Sequence, residues 1–231
     1  MTIRENIFYL LEKIESIKTK NNISYDIKLM AVTKTHPVEY VLETIDAGIT
    51  LFGENRVLEA YEKFNSEKLK DKNFELHIIG HLQRNKAKEA AQICQMIQSI
   101  DKIETLEVVE KYCQQLNKKI DYLIEVNTSN EPQKYGINPD LLNFFIENIL
   151  KKDFKFCNLR GLMTVGPLTN NIKTISFSFK LLYNLYDSLK KNLNKKDFDI
   201  LSMGMSGDYE IAIKEGSNLL RIGSAIYGSR N

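Results

Sequence analysis

The chain has 231 residues, 27% of them charged and 43% hydrophobic, the size and composition of one α/β-barrel domain. Its net charge of +2 is too small to argue for nucleic acid or an acidic membrane surface as a partner. Cys94, Cys113 and Cys157 have no metal-ligand or redox spacing, which points to a reducing compartment. The polar start Met1-Thr2-Ile3-Arg4-Glu5-Asn6 has no secretory pattern, and no run reaches the ~18 apolar residues of a membrane span, so a cytoplasmic protein is expected.

In chain order, Ile3, Ile7, Leu10, Ile14 and Ile17 step by four and three and predict an amphipathic helix over residues 2–20. Ile27 to Thr33 reads as a buried strand that runs into Lys34. Val38, Val41, Leu42 and Ile45 restore the helical period, with Pro37 before them and Gly48 after. Residues 49–52 form a second strand, broken by Gly53-Glu54-Asn55, and Val57, Leu58, Tyr61 and Phe64 a helix. Phe74 to Ile79 is a third strand stopped by Gly80-His81; residues 83–92 form a polar helix and Met96 to Ile100 a fourth strand ending at Asp101.

The alternation continues with a helix from Ile103 to Leu116 and a fifth strand from Tyr122 to Val126. Asn138-Pro139 then opens a helix through Leu150, and Phe156 to Met163 holds a sixth strand. A long helix carries Ile175 through Leu193, Phe198 to Leu201 is a seventh strand, Tyr209 to Glu215 a helix, and Leu219 to Ile222 an eighth strand. Eight short strands alternating with helices, without a composition break, predict a single (β/α)₈ TIM barrel over residues 1–231 with an extra N-terminal helix. The open doubly wound sheet is the second choice, but its G-x-G-x-x-G fingerprint is absent.

A barrel gathers the C-terminal ends of its strands on one face, where sites are built. Those ends carry Lys34, Glu54 with Asn55, His81, Asp101, Asn127, Met163 with Thr164, Ser202 to Ser206 and Arg221 to Ser224. The turns Ser202-Met203-Gly204-Met205-Ser206-Gly207-Asp208 and Arg221-Ile222-Gly223-Ser224-Ala225 are small and glycine-bearing, suited to an anion, and follow strands seven and eight, where barrels often bind phosphate. Alternatively, glycine only turns the chain there and Ser206 only caps the following helix. A lysine amine opposite a phosphate cradle suits either a phosphorylated carbonyl substrate or resident pyridoxal phosphate. Arg221 could face the pyridine nitrogen of that cofactor, or serve as a structural ion-pair partner. His77 falls within a strand without the H-E-x-x-H pattern and reads as a hydrogen-bonded core residue, and no metal site is expected.

The motifs Ala31-Val32-Thr33-Lys34-Thr35, Phe52-Gly53-Glu54-Asn55, His77-Ile78-Ile79-Gly80-His81-Leu82-Gln83, Gly161-Leu162-Met163-Thr164, Ser202-Met203-Gly204-Met205-Ser206 and Arg221-Ile222-Gly223-Ser224-Ala225-Ile226-Tyr227-Gly228 resemble the pyridoxal phosphate homeostasis protein family, also called proline synthetase co-transcribed proteins. The resemblance runs from the first strand to the C-terminus. It implies a barrel like the N-terminal domain of alanine racemase, with Lys34 holding pyridoxal 5′-phosphate as an internal aldimine. It implies that Ser206, Gly223 and Ser224 hold the phosphate, that Arg221 faces the pyridine nitrogen, and that Asn55, His81 and Met203 lie near the cofactor. Leu76, His36 and Thr33 depart from frequent family residues and touch only local packing.

The resemblance further implies a cofactor carrier or regulator of vitamin B6 and amino-acid balance, without established catalysis. Pyridoxal phosphate-dependent apo-enzymes are the expected acceptors, and a monomer the expected state. The alternatives are an amino-acid racemase of the same fold type and an aldolase using free Lys34. A racemase needs proton donors on both faces of a carbanion; the nine residues after Ile222 leave no room for the second domain from which alanine racemase draws its tyrosine. A guanidinium at the ring nitrogen also weakens the electron sink.

Overall fold

The computed structural model describes residues 1–228, and residues 229–231, the end of the expected domain, lie outside them. Eight parallel strands close into a barrel in sequence order, with β8 pairing back onto β1. They are β1 (Lys28–Val32), β2 (Leu51–Glu54), β3 (Glu75–Ile78), β4 (Met96–Ile100), β5 (Ile120–Glu125), β6 (Cys157–Met163), β7 (Ile200–Ser202) and β8 (Leu219–Ile222). The helices are α1 (Ile3–Lys20), α2 (Val38–Asp46), α3 (Val57–Phe64), α4 (Ala87–Ile93), α5 (Ile103–Leu116), α6 (Leu142–Leu150), α7 (Ile172–Leu193), α8 (Tyr209–Lys214) and α9 (Ser224–Tyr227). This is the expected (β/α)₈ barrel, and α1, ahead of β1, is its added N-terminal helix.

Helix α1 starts at a capping box, in which Thr2 and Glu5 exchange hydrogen bonds between side chain and backbone. Its buried stripe Ile7, Leu10, Ile14 and Ile17 packs the helix against α2, α8 and α9, and Asn6 donates to the Ile226 carbonyl. None of the helices among the described residues is long and apolar enough to cross a membrane.

Boundaries move where polar residues mislead. Strand β2 includes Gly53 and Glu54, which read as a break in sequence, because Glu54 is buried on the end of the strand against Lys63. The polar helix expected over 83–92 is a 3₁₀ turn (Arg84–Lys86) followed by α4. Strand β7 begins at Ile200, while Phe198 is buried with its ring stacked on Tyr186 in the helix layer.

The core is split in two. The main cluster lies between barrel and helices, and a small second one, Met96, Leu123 and Met163, is separate from it. Ser202 on β7 donates to Gln98 on β4, two strands that are not neighbours in the sheet, so that bond crosses the barrel interior. Barrel interiors usually fill with branched aliphatic layers; this one carries methionines and polar side chains.

Candidate functional site

At the C-terminal mouth, the ends of β1, β2, β3, β6, β7 and β8 enclose a cavity of about 390 Å³, lined by Lys34, Asn55, Ser206, Arg221, Gly223 and Ser224. Val32, Ile79, Val165, Met205 and Gly207 complete its wall. Six of the sequence candidates thus meet in one place. Among the described residues no acidic side chain lines the cavity, whereas two cations do. Such a lining favours an anionic ligand.

Lys34 stands two residues beyond β1, half-buried. A buried ammonium fixes the loop that carries it. Lys63 on α3 donates to the Thr33 carbonyl at 2.7 Å, to Glu54 Oε1 at 2.7 Å and to Glu59 Oε1 at 3.1 Å, and a lysine has three protons to give. Thr33 Oγ1 donates to the same Glu54 oxygen at 2.6 Å. Thr35 has φ +67°, a strained conformation for a β-branched residue, and its N–H donates to Glu59. The residues on both sides of Lys34 are therefore held by one network. Burial pushes the Glu54 carboxyl above its ordinary range, against the pull of Lys63. Lys63→Met strands two carboxylates, and is expected to cost about 3 kcal/mol in urea unfolding. A loss under ~1 kcal/mol would show that the network is not structural.

Arg221 is buried at the floor of the cavity. It donates through Nη1 to Ser202 Oγ and through Nη2 to the Thr164 carbonyl, each at 2.7 Å. Burial lowers it to about 10, with Asp208 and Glu125 opposing, so it stays a cation at neutral pH. Ser206 does not cap α8, whose N-cap is Asp208; its hydroxyl accepts from the Ala225 N–H at 3.1 Å and joins the β7 and β8 turns. Gly80 is a packing requirement: a Cβ there would lie 2.3 Å from the Asn55 carbonyl oxygen.

Two candidates lie elsewhere. Met203 is fully buried in the main core, so its side chain is apart from the cavity wall. His81 lines an adjoining cavity of about 670 Å³, with Arg56, Glu62, Lys86 and Tyr135, that shares only Asn55 with the first. The His81 ring stacks on Tyr135 with centroids 3.9 Å apart, and its Nδ1 is 3.6 Å from Asp101 Oδ2.

Sequence reading missed Glu125. It is buried at the end of β5, where burial first, and Asp101 second, raise its carboxyl to about 7, with Arg221 opposing. A carboxyl raised in the folded state adds stability that is complete below its unfolded value and lost as pH rises through the folded one. Glu125→Gln is therefore expected to stabilise the protein by ~3 kcal/mol at about pH 8.5 and to change little at about pH 4. Urea unfolding at the two pH values checks this, and equal effects at both would contradict it.

Comparison with known proteins agrees with this architecture. The alanine racemase N-terminal domain family matches residues 10–231, which defines the class of barrel. An alanine racemase from Clostridium difficile superposes with a TM-score of 0.73 at 15% identity, over 98% of this chain and 57% of that one, a likeness of fold alone. The pyridoxal phosphate homeostasis protein of Haemophilus influenzae is 35% identical over 232 residues, covering 100% of this chain and 97% of its own. PipY of Synechococcus elongatus, solved with pyridoxal phosphate bound, superposes with a TM-score of 0.84 at 27% identity, over 98% of this chain and 100% of that one. The chain belongs to the pyridoxal phosphate homeostasis protein family.

Proposed function

We propose that this protein holds pyridoxal 5′-phosphate in the mouth cavity, covalently through Lys34, and serves as a carrier that passes it to acceptor enzymes. One observation carries the reading: Lys34, the buried Arg221 and the Ser206, Gly223 and Ser224 turns line a single cavity free of acidic side chains among the described residues. Its volume of about 390 Å³ lies within the range of small-molecule sites. When bound, the cofactor supplies a carbonyl that condenses with an amine to a Schiff base.

The chain's own groups divide the work. Ser206, Gly223 and Ser224 hold the phosphate, and Asn55 flanks the ring. Arg221, held as a cation, donates to the pyridine nitrogen and leaves it without a proton, which suits retention better than carbanion chemistry. The Lys63 network keeps Lys34 at the rim, where an incoming amine or water reaches it. Lys34 is the one amine in the wall among the described residues, and two-faced proton transfer would require a second acid–base group opposite it. His81 and Met203 do not line this cavity and take no direct part in holding the cofactor.

The test is transfer. Loaded protein mixed with a pyridoxal phosphate-dependent apo-enzyme should restore that enzyme's activity, while producing no steady-state racemisation or transamination across a panel of amino acids. Sustained turnover of any amino acid would replace the carrier reading with an enzymatic one.

A further inference from the structure

The hydrogen bond from Arg221 to Ser202 begins a chain that crosses the barrel to its opposite end. Ser202 Oγ donates to Gln98 Oε1 at 2.7 Å, Gln98 Nε2 meets His77 Nδ1 at 2.8 Å, and His77 Nε2 meets Glu75 Oε1 at 2.7 Å. Ser202, Gln98 and His77 are all buried, and Glu75 reaches the surface at the N-terminal pole. His77 and Glu75 line a separate cavity of about 300 Å³ there.

The chain has one direction. A guanidinium only donates, so Ser202 accepts from Arg221 and spends its own proton on the Gln98 carbonyl. The Gln98 amide then donates to Nδ1 of His77, which must be bare, and the imidazole proton sits on Nε2 facing the Glu75 carboxylate. Burial keeps His77 below its ordinary value; Glu75 and Asp121 act against that and Lys28 with it. Reversing Gln98 would require a proton on Nδ1 and leave the Ser202 proton without its acceptor. A neutral imidazole could then no longer donate to Glu75, so reversal goes with a charged His77.

We propose that His77, Gln98 and Ser202 are positioning residues for Arg221, fixing from the N-terminal side of the barrel the guanidinium that the cofactor's pyridine nitrogen meets. The proposal rests on the pyridoxal phosphate reading above. It assigns a purpose to a polar interior that packing alone would fill with aliphatic groups, and it makes His77 matter at a distance from the mouth.

Two measurements test it. In unloaded wild-type protein, imidazole ¹⁵N spectra should show His77 as the Nε2–H tautomer, unchanged between about pH 8 and 6. An Nδ1–H tautomer, or titration at the ordinary histidine value, would overturn the donor order and the proposal with it. In titrations with pyridoxal 5′-phosphate, His77→Phe and Ser202→Ala should each weaken binding about tenfold, the worth of one buried hydrogen bond. The double variant should be no weaker than the weaker single one, since both cut the same chain. His77→Asn, which keeps an acceptor near Nδ1, should recover most of the loss. Wild-type affinity in Ser202→Ala, or additive losses, would contradict the proposal, and the smaller Ser202→Ala change carries the test should His77→Phe not fold. Wild-type protein that takes up no pyridoxal phosphate would overturn the cofactor reading instead, which the imidazole spectrum of unloaded protein does not depend on.

Discussion

Lys34→Ala protein is expected to lose its pyridoxal phosphate on gel filtration, with affinity reduced about a hundredfold or more, equivalent to roughly 3 kcal/mol. The Ser206, Gly223 and Ser224 turns and Arg221 remain in the variant, so the cavity still attracts an anion. What it lacks is the amine proposed to form the covalent link. Lys34→Arg separates the two contributions, because it keeps the positive charge and cannot form that link. Both variants should lose the long-wavelength absorption of bound cofactor. Stability should change by less than about 1 kcal/mol, since Lys34 is half-buried on a loop outside β1. Wild-type retention by Lys34→Arg would show that charge alone holds the ligand.

The largest effect on folding is expected at Gly161. Its φ is +155°, and a Cβ on it would lie 1.8 Å from the Ile200 carbonyl oxygen and 2.7 Å from that carbonyl carbon. Backbone, not a flexible side chain, fills the space, and it belongs to β7, whose Ile200 is the register partner of Gly161. The β5–β6 register also shifts at this point, pairing Tyr122 with Leu159 but Leu123 with Gly161, so that Arg160 is the extra residue of a bulge. From there Arg160 reaches Asp121 at 2.6 Å and Asp199 at 2.8 Å, tying β5 and the residue just ahead of β7 to β6. Gly161→Ala must part β6 from β7, with an expected loss of more than about 4 kcal/mol, enough to deplete folded protein. Urea unfolding, or the soluble yield if the variant does not purify, reads this out. A shift under ~1 kcal/mol would mean that the barrel relaxes there without cost.

Much of this was legible in sequence, for physical reasons that name the exceptions. The strand runs and the 3.6-residue periods of α1, α5 and α7 are written in apolar residues, and β4 falls on Met96–Ile100 as expected. Lys34, Asn55, Ser206, Arg221, Gly223 and Ser224 were legible as a group because strand ends of a barrel converge whatever their separation in sequence. Glu54 was not legible as a strand residue, since its burial depends on Lys63; the i,i+4 pair Glu59–Lys63 was the available signal. Met203 and Met205 look alike in the same turn, yet one is buried in the core and the other lines the cavity. The interior chain from Arg221 to Glu75 joins β8, β7, β4 and β3, and no local pattern announces a bond between Gln98 and Ser202, 104 residues apart.

The covalent role of Lys34 is the central claim. Protein purified without added cofactor is reduced with borohydride, digested, and mapped by mass spectrometry. One pyridoxyl phosphate adduct is expected, on the Nζ of Lys34, with other lysines unmodified. An unmodified Lys34, or label spread over surface lysines, would contradict it.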